Sequence, residues 1–134
     1  MDLAVAIDMG ADIETVFAPG QLLESCDGDD DLAREVILEF CESAPVRLVR
    51  LTLAVANLDL SQVRLEAHSI KGSCRTIGAV ALASITAILE ESSKNGDLSD
   101  ATAMVVEADR CLRDLILALR AYHSDSLFAQ HAVS

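Results

Sequence analysis

From Leu32 onward the apolar positions Val36, Ile37, Phe40, Cys41, Ala44, Leu48, Leu51 and Val55 follow at gaps of one, three or four, the stripe of an amphipathic helix. A helix is predicted over 31–56. Pro45 lies inside it, and because proline lacks an amide hydrogen and its ring crowds the preceding turn, a bend or split is expected there. Asn57-Leu58-Asp59-Leu60-Ser61 then supplies a break and fresh capping side chains. In the next segment Val63, Ala67, Ile70, Cys74 and Ile77 alternate at gaps of four and three, a narrow core-facing seam at about 100° per residue. Gly78 suits the left-handed residue that closes such a helix. Residues 79–92 are apolar nearly all round, as expected of a helix wedged between neighbours, and Asn95-Gly96-Asp97 stops them. A last helix, capped by Asp97 or Ser99, carries Met104, Val105, Ala108, Cys111, Leu112, Leu115, Leu119 and Tyr122 on one stripe.

Four long helices joined by short loops pack most simply as an antiparallel four-helix bundle. Ahead of them, residues 1–21 form an extension with room for one short helix before Ala18-Pro19-Gly20, and Gln21–Ser25 can add a turn. Asp27-Gly28-Asp29-Asp30-Asp31 offers N-cap side chains to the first long helix. The expected organisation is an all-α chain: an N-terminal extension over 1–21, the bundle over 22–123 and a patternless tail over 124–134. Aromatics are confined to Phe17, Phe40, Phe128 and Tyr122, and Ala, Leu, Val and Ile dominate, which favours helix over sheet.

Charge narrows the partners. A net charge of -12 in 134 residues sets up a field that repels phosphate backbones and anionic headgroups, so neither nucleic acid nor a membrane surface is expected to bind. No apolar run approaches the ~20 residues of a membrane span, and the N-terminus lacks the positive charge and apolar run of a signal peptide. Cys26, Cys41, Cys74 and Cys111 show no CxxC pairing or metal-ligand spacing and read as reduced, mostly buried thiols. A cytoplasmic, metal-free monomer is expected, because no heptad seam or large apolar face is left over once the bundle is packed.

Against that acidic background one helix face is unusual. On the helix bearing Val63, the residues Lys71, Arg64, Arg75, His68, Ser61, Gly72 and Leu65 share an arc opposite the seam, with no Asp or Glu of that helix among them. Gly72 in mid-helix costs about 1 kcal/mol against alanine and leaves bare backbone beside His68, where something must come close. Leu65 adds an apolar contact to a docking patch. Neutral imidazole presents a nucleophilic nitrogen near pH 7 without a separate base. A phosphoryl group there would add about two negative charges, and Lys71 with Arg64 or Arg75 can neutralise them. Phosphoryl transfer asks for positioning and charge stabilisation, which such a face supplies.

At Ala67-His68-Ser69-Ile70-Lys71-Gly72, with Gly78 six residues on, then Leu82 and Leu89-Glu90, the chain resembles the histidine phosphotransfer (HPt) domains of two-component phosphorelays. The likeness extends over roughly 22–121, with Leu32–Leu53 similar to the helix preceding the family's phosphohistidine helix. It implies a four-helix bundle in which His68 is the phosphoacceptor, Lys71 lies near the phosphoryl group, Gly72 clears space for the partner and Gly78 shapes the helix end. It also implies a relay: a receiver-domain aspartate, often of a hybrid sensor kinase, passes phosphate to the histidine, which passes it to a response regulator. No cofactor is implied for the chain, since the Mg²⁺ belongs to the receiver and no ATP-binding loop is evident. The implied protein is therefore a carrier and not an enzyme.

His123 and His131 read as ordinary surface or core residues. The acidic run at 27–31 lacks the later bidentate glutamate of a calcium loop. A hydrolase using His68 as general base would need a second catalytic group, and only Ser61, two turns away, shares its arc. The main alternative is an HPt-like adaptor that binds a receiver or kinase without accepting phosphate; it would have no need of the nucleophile.

Overall fold

Capped helix ends and short loops set the order of the elements. The computed structural model describes residues 16–133, with side chains through 126, so the extension before Val16 lies outside the described residues. Five helices follow: α1 (Pro19–Ser25), α2 (Asp30–Ala56), α3 (Leu60–Ile77), α4 (Val80–Lys94) and α5 (Ala101–Val133). The chain is all-α, with no strand among the described residues. Each start has a local cause. Pro19 occupies the first turn of α1, where its missing amide is harmless. Asp29 accepts a hydrogen bond from the Leu32 amide and Asp59 one from the Gln62 amide, both at 3.1 Å, each satisfying an orphan donor of a first turn. At the end of α3, Gly78 takes φ 79°, ψ 30°, and the Ala79 amide returns to the Cys74 carbonyl at 2.8 Å.

The long helices form a ring in which α3 packs on α2 and α4, and α5 on α4 and α2. The predicted seam of α3 lies in the core: Val63, Ala67, Ile70, Cys74 and Ile77 are all buried, facing Ile37, Phe40, Leu51, Leu89, Leu115 and Leu119 among others. Glu66 is buried beside them. Its Oε1 accepts from Gln62 Nε2 at 3.3 Å and its Oε2 lies 3.8 Å from Arg47 of α2, tying α3 to α2. The short α1 closes one end of the bundle. There Leu22 and the preceding Phe17 are buried, Phe17 meets Tyr122 edge-on with ring centroids 5.6 Å apart, and Ser25 donates to the Thr76 carbonyl at 2.9 Å.

Several sequence expectations need amendment. α2 runs unbroken through Pro45, so of the expected bend or split the split does not occur. A proline removes one backbone bond and adds one crowded contact, and the buried residues on both sides, Phe40 and Ala44 before it and Leu48 and Leu51 after it, keep the helix packed across the gap. α4 is not enclosed on all sides, since Val80 is 71% and Ile88 51% exposed, while Thr86, Glu90 and Ser93 are buried. The Thr86 hydroxyl donates to the Leu82 carbonyl and the Ser93 hydroxyl to the Glu90 carbonyl, satisfying themselves within the helix. Neither Asp97 nor Ser99 caps α5. Asp97 instead accepts from the Ser99 amide and hydroxyl, which shapes the loop, and the helix begins two residues later. It then continues past Tyr122 to Val133, where no tail pattern was legible, and Ser126 accepts from Arg34 of α2 at 3.0 Å. Apolar surface does remain: Val46, Val49 and Leu53 of α2 and Leu117 of α5 are half or more exposed, and Val49 and Leu53 line a groove between the two helices.

No described helix is long and apolar enough to cross a membrane. The four cysteines are free, three of them buried and Cys41 partly exposed. Burial pushes the Cys74 thiol up to about 12 and the Cys111 thiol to about 11, which leaves both protonated and unreactive near neutrality.

Candidate functional site

The helical wheel places its outward arc correctly on α3. Ser61, Arg64, Leu65, His68, Gly72 and Arg75 are all exposed, and Lys71 is partly covered. The His68 side chain is 67% exposed. Leu65 beside it is 56% exposed. A Cβ built on Gly72 meets no neighbouring atom within 4 Å, so nothing inside the protein requires glycine there. Arg75 lines an open groove of ≈ 480 Å³ that runs between α3 and α4 along Ala79, Val80, Ala83 and Ala87. Gly78 is needed for the fold itself, because its φ is positive and a Cβ there would lie 2.7 Å from the Ala18 Cβ and 3.0 Å from the Ala18 backbone.

No carboxylate of α3 lies on this face, and α4 adds one. Glu90 reaches across from α4, its side chain 8% exposed, and its Oε2 stands 3.0 Å from His68 Nδ1. Its Oε1 accepts a short hydrogen bond from Lys71 Nζ. A second lysine, Lys94, holds its Nζ 3.7 Å from the same Oε2. Two helices thus deliver one histidine and two lysines to a single buried carboxylate. Because α3 and α4 are antiparallel neighbours joined by a two-residue loop, His68 and Glu90 fall at the same height.

The electrostatics follow from these contacts. The hydrogen bond from Lys71, helped by His68 and opposed by desolvation, holds the Glu90 carboxyl down to about 2. It is therefore ionised at neutral pH and can only accept hydrogen bonds, so the neutral ring carries its proton on Nδ1 and leaves Nε2 with a free lone pair. Arg64 and Arg75 make no ion pair among the described residues. Around His68 one carboxylate stands against four cations, a positive island on an acidic protein.

Glu90 and Lys94 were given no role from sequence. The legible signal was faint: Glu90 is a charged residue on the side of α4 that buries Leu82, Thr86, Leu89 and Ser93, where an unpaired carboxylate is too costly to keep. That pointed to a cation from another helix without saying which.

Comparison with known proteins identifies the family and the fold. The profile of the Hpt domain family matches residues 35–122. No curated protein matches. Among solved structures, the crystal structure of histidine-containing phosphotransfer protein B (HptB) from Pseudomonas aeruginosa PAO1 superposes with a TM-score of 0.77 at 25% identity, covering 82% of this chain and 96% of that one. Profile, bundle and histidine-bearing face coincide in one region, and the chain belongs to the Hpt domain family, whose role is histidine phosphotransfer in two-component signalling.

Proposed function

We propose that His68 is the phosphoacceptor and that the protein relays phosphate between receiver domains, taking it from an aspartyl phosphate, often of a hybrid sensor kinase, and giving it to the aspartate of a response regulator. The observation that carries this is the pairing of an exposed imidazole with a buried, ionised carboxylate on its Nδ1. The Nε2 lone pair attacks phosphorus, the bond from phosphorus to the aspartyl oxygen breaks, and the aspartate departs as carboxylate. The ring keeps its Nδ1 proton and becomes cationic, and Glu90 lies where that charge appears. Charge placed in advance at the site of charge development lowers the barrier without reorganisation.

The remaining residues fit supporting roles. Lys71 is fixed by Glu90 close to the ring. Gly72 lets the receiver's active-site loops approach the helix backbone, and Leu65 gives an apolar contact beside it. Arg64 and Arg75 attract the acidic, Mg²⁺-binding pocket of a receiver. That Mg²⁺ and the remaining transfer groups come from the partner, so the chain acts as a carrier.

The test is single-turnover transfer from a purified, phosphorylated receiver domain of the same cell to the wild type and to His68→Gln. Acid-labile, alkali-stable label on the wild type and none on the variant is expected. A variant that binds the receiver, with a wild type that binds but takes no label, would favour the adaptor reading.

A further inference from the structure

The site contains one cation more than the transfer chemistry described above employs. Lys94 is the last residue of α4 and is 42% exposed. Its Nζ sits 3.7 Å from Glu90 Oε2, beyond direct hydrogen-bonding distance, whereas Lys71 is bonded directly to Oε1. Lys71 thus gives one of its three donors to the carboxylate, and Lys94 keeps all of its donors available. The oxygen that Lys94 approaches is the one that holds His68 Nδ1.

The antiparallel pairing fixes where the two lysines stand. Lys71 lies one turn from His68 toward the C-terminal end of α3. Lys94 lies one turn beyond Glu90, which on the neighbouring helix is toward the Arg64 end of α3. The imidazole is bracketed from both sides along the α3–α4 seam.

We propose that Lys94 is a phosphoryl-binding residue: when His68 carries the phosphoryl group, Lys94 leaves its loose contact with Glu90 and donates to the phosphoryl oxygens. This rests on His68 being the phosphoacceptor and replaces the expectation that Arg64 or Arg75 joins Lys71 there. Two new negative charges on the ring outweigh a carboxylate already neutralised by Lys71. Only a side-chain rotation of an exposed lysine is needed.

The commonplace role for Lys94 is an i, i+4 pair with Glu90 at a helix C-terminus. The two are separated by loading the protein with phosphoramidate, which needs no receiver: the phosphorus–nitrogen bond of the donor breaks, ammonia leaves, and a new phosphorus–nitrogen bond forms at the ring. The phosphoryl group is then titrated by ³¹P NMR between pH 6 and 9 in wild type, Lys94→Gln, Lys94→Arg and, as a control on the far face, Arg113→Gln. A nearby ammonium favours the dianion, so Lys94→Gln is expected to move the phosphoryl titration to higher pH, while Lys94→Arg and Arg113→Gln stay near wild type. In equilibrium exchange with a receiver, Lys94→Gln is expected to shift phosphate back to the aspartate by about 1.4- to 5-fold, the range of an exposed charge pair. If Lys94→Gln titrates and partitions as the wild type does, Lys94 only caps its helix and the proposal is overturned. If the wild type takes no phosphoryl group from either donor, the assignment of His68 fails, and this inference with it.

Discussion

Replacing Gly72 by alanine is expected to make the protein more stable and less active. Gly72 is exposed in the middle of α3, and an added Cβ finds no atom within 4 Å, so the methyl introduces no clash to set against the gain in helix propensity. That gain is about 1 kcal/mol, or a rise of roughly 3–4 °C in Tm for a domain of this size. In the complex the same methyl meets the partner. Overfilling a packed contact costs about 1–3 kcal/mol, which is a loss of about 5- to 150-fold in transfer rate. Thermal unfolding followed by circular dichroism gives the first quantity, and single-turnover transfer from a phosphorylated receiver gives the second. A variant that melts higher and still transfers at the wild-type rate would refute the close approach at Gly72. One that melts lower would refute the view that the free helix has room for a side chain.

Other substitutions separate fold from function. Gly78→Ala combines left-handed strain with a clash against Ala18 and loss of the 3.0 Å bond from the Ala18 amide to the Gly78 carbonyl, together about 2–4 kcal/mol; Gly96→Ala, with φ 72° but open surroundings, should cost only about 1 kcal/mol. Equal melting temperatures for the two would deny the Ala18 contact its part. Glu90→Gln should destabilise at pH 7 by removing the partner of Lys71. Because the Glu90 carboxyl titrates below its ordinary value of 4.5, at about 2, its contribution is present above the unfolded value and is lost as pH falls through the folded one; the gap between wild type and variant in denaturant melts should therefore narrow from pH 4.5 toward 2, and a constant gap would contradict the assigned ion pair. Arg64→Ala and Arg75→Ala should leave Tm nearly unchanged, slow association with a receiver and flatten its salt dependence, as stopped-flow binding would register; unchanged kinetics would remove them from the docking surface.

The helices and the outward face of α3 were legible because both rest on periodicity within one segment. Val63, Ala67, Ile70, Cys74 and Ile77 needed no knowledge of their neighbours to be recognised as core, and His68, Gly72 and Leu65 were then exposed by geometry alone. Glu90 and Lys94 were illegible for the converse reason. Their role depends on the pairing of α3 with α4, and the hydropathy pattern of α4 says only that one side is buried. The continuation of α5 past Tyr122 was missed because its apolar stripe stops there, although the backbone does not. Pro45 does not split α2, because buried residues on both flanks of the proline hold the helix together.

The most direct test of the central assignment is to locate the phosphoryl group on the protein by ¹⁵N-resolved NMR of imidazole-labelled, phosphorylated protein. The phosphoryl group is expected on Nε2 of His68, with the Nδ1 proton retained against Glu90. A phosphoryl group on Nδ1, on His123, or on no histidine at all would contradict the account.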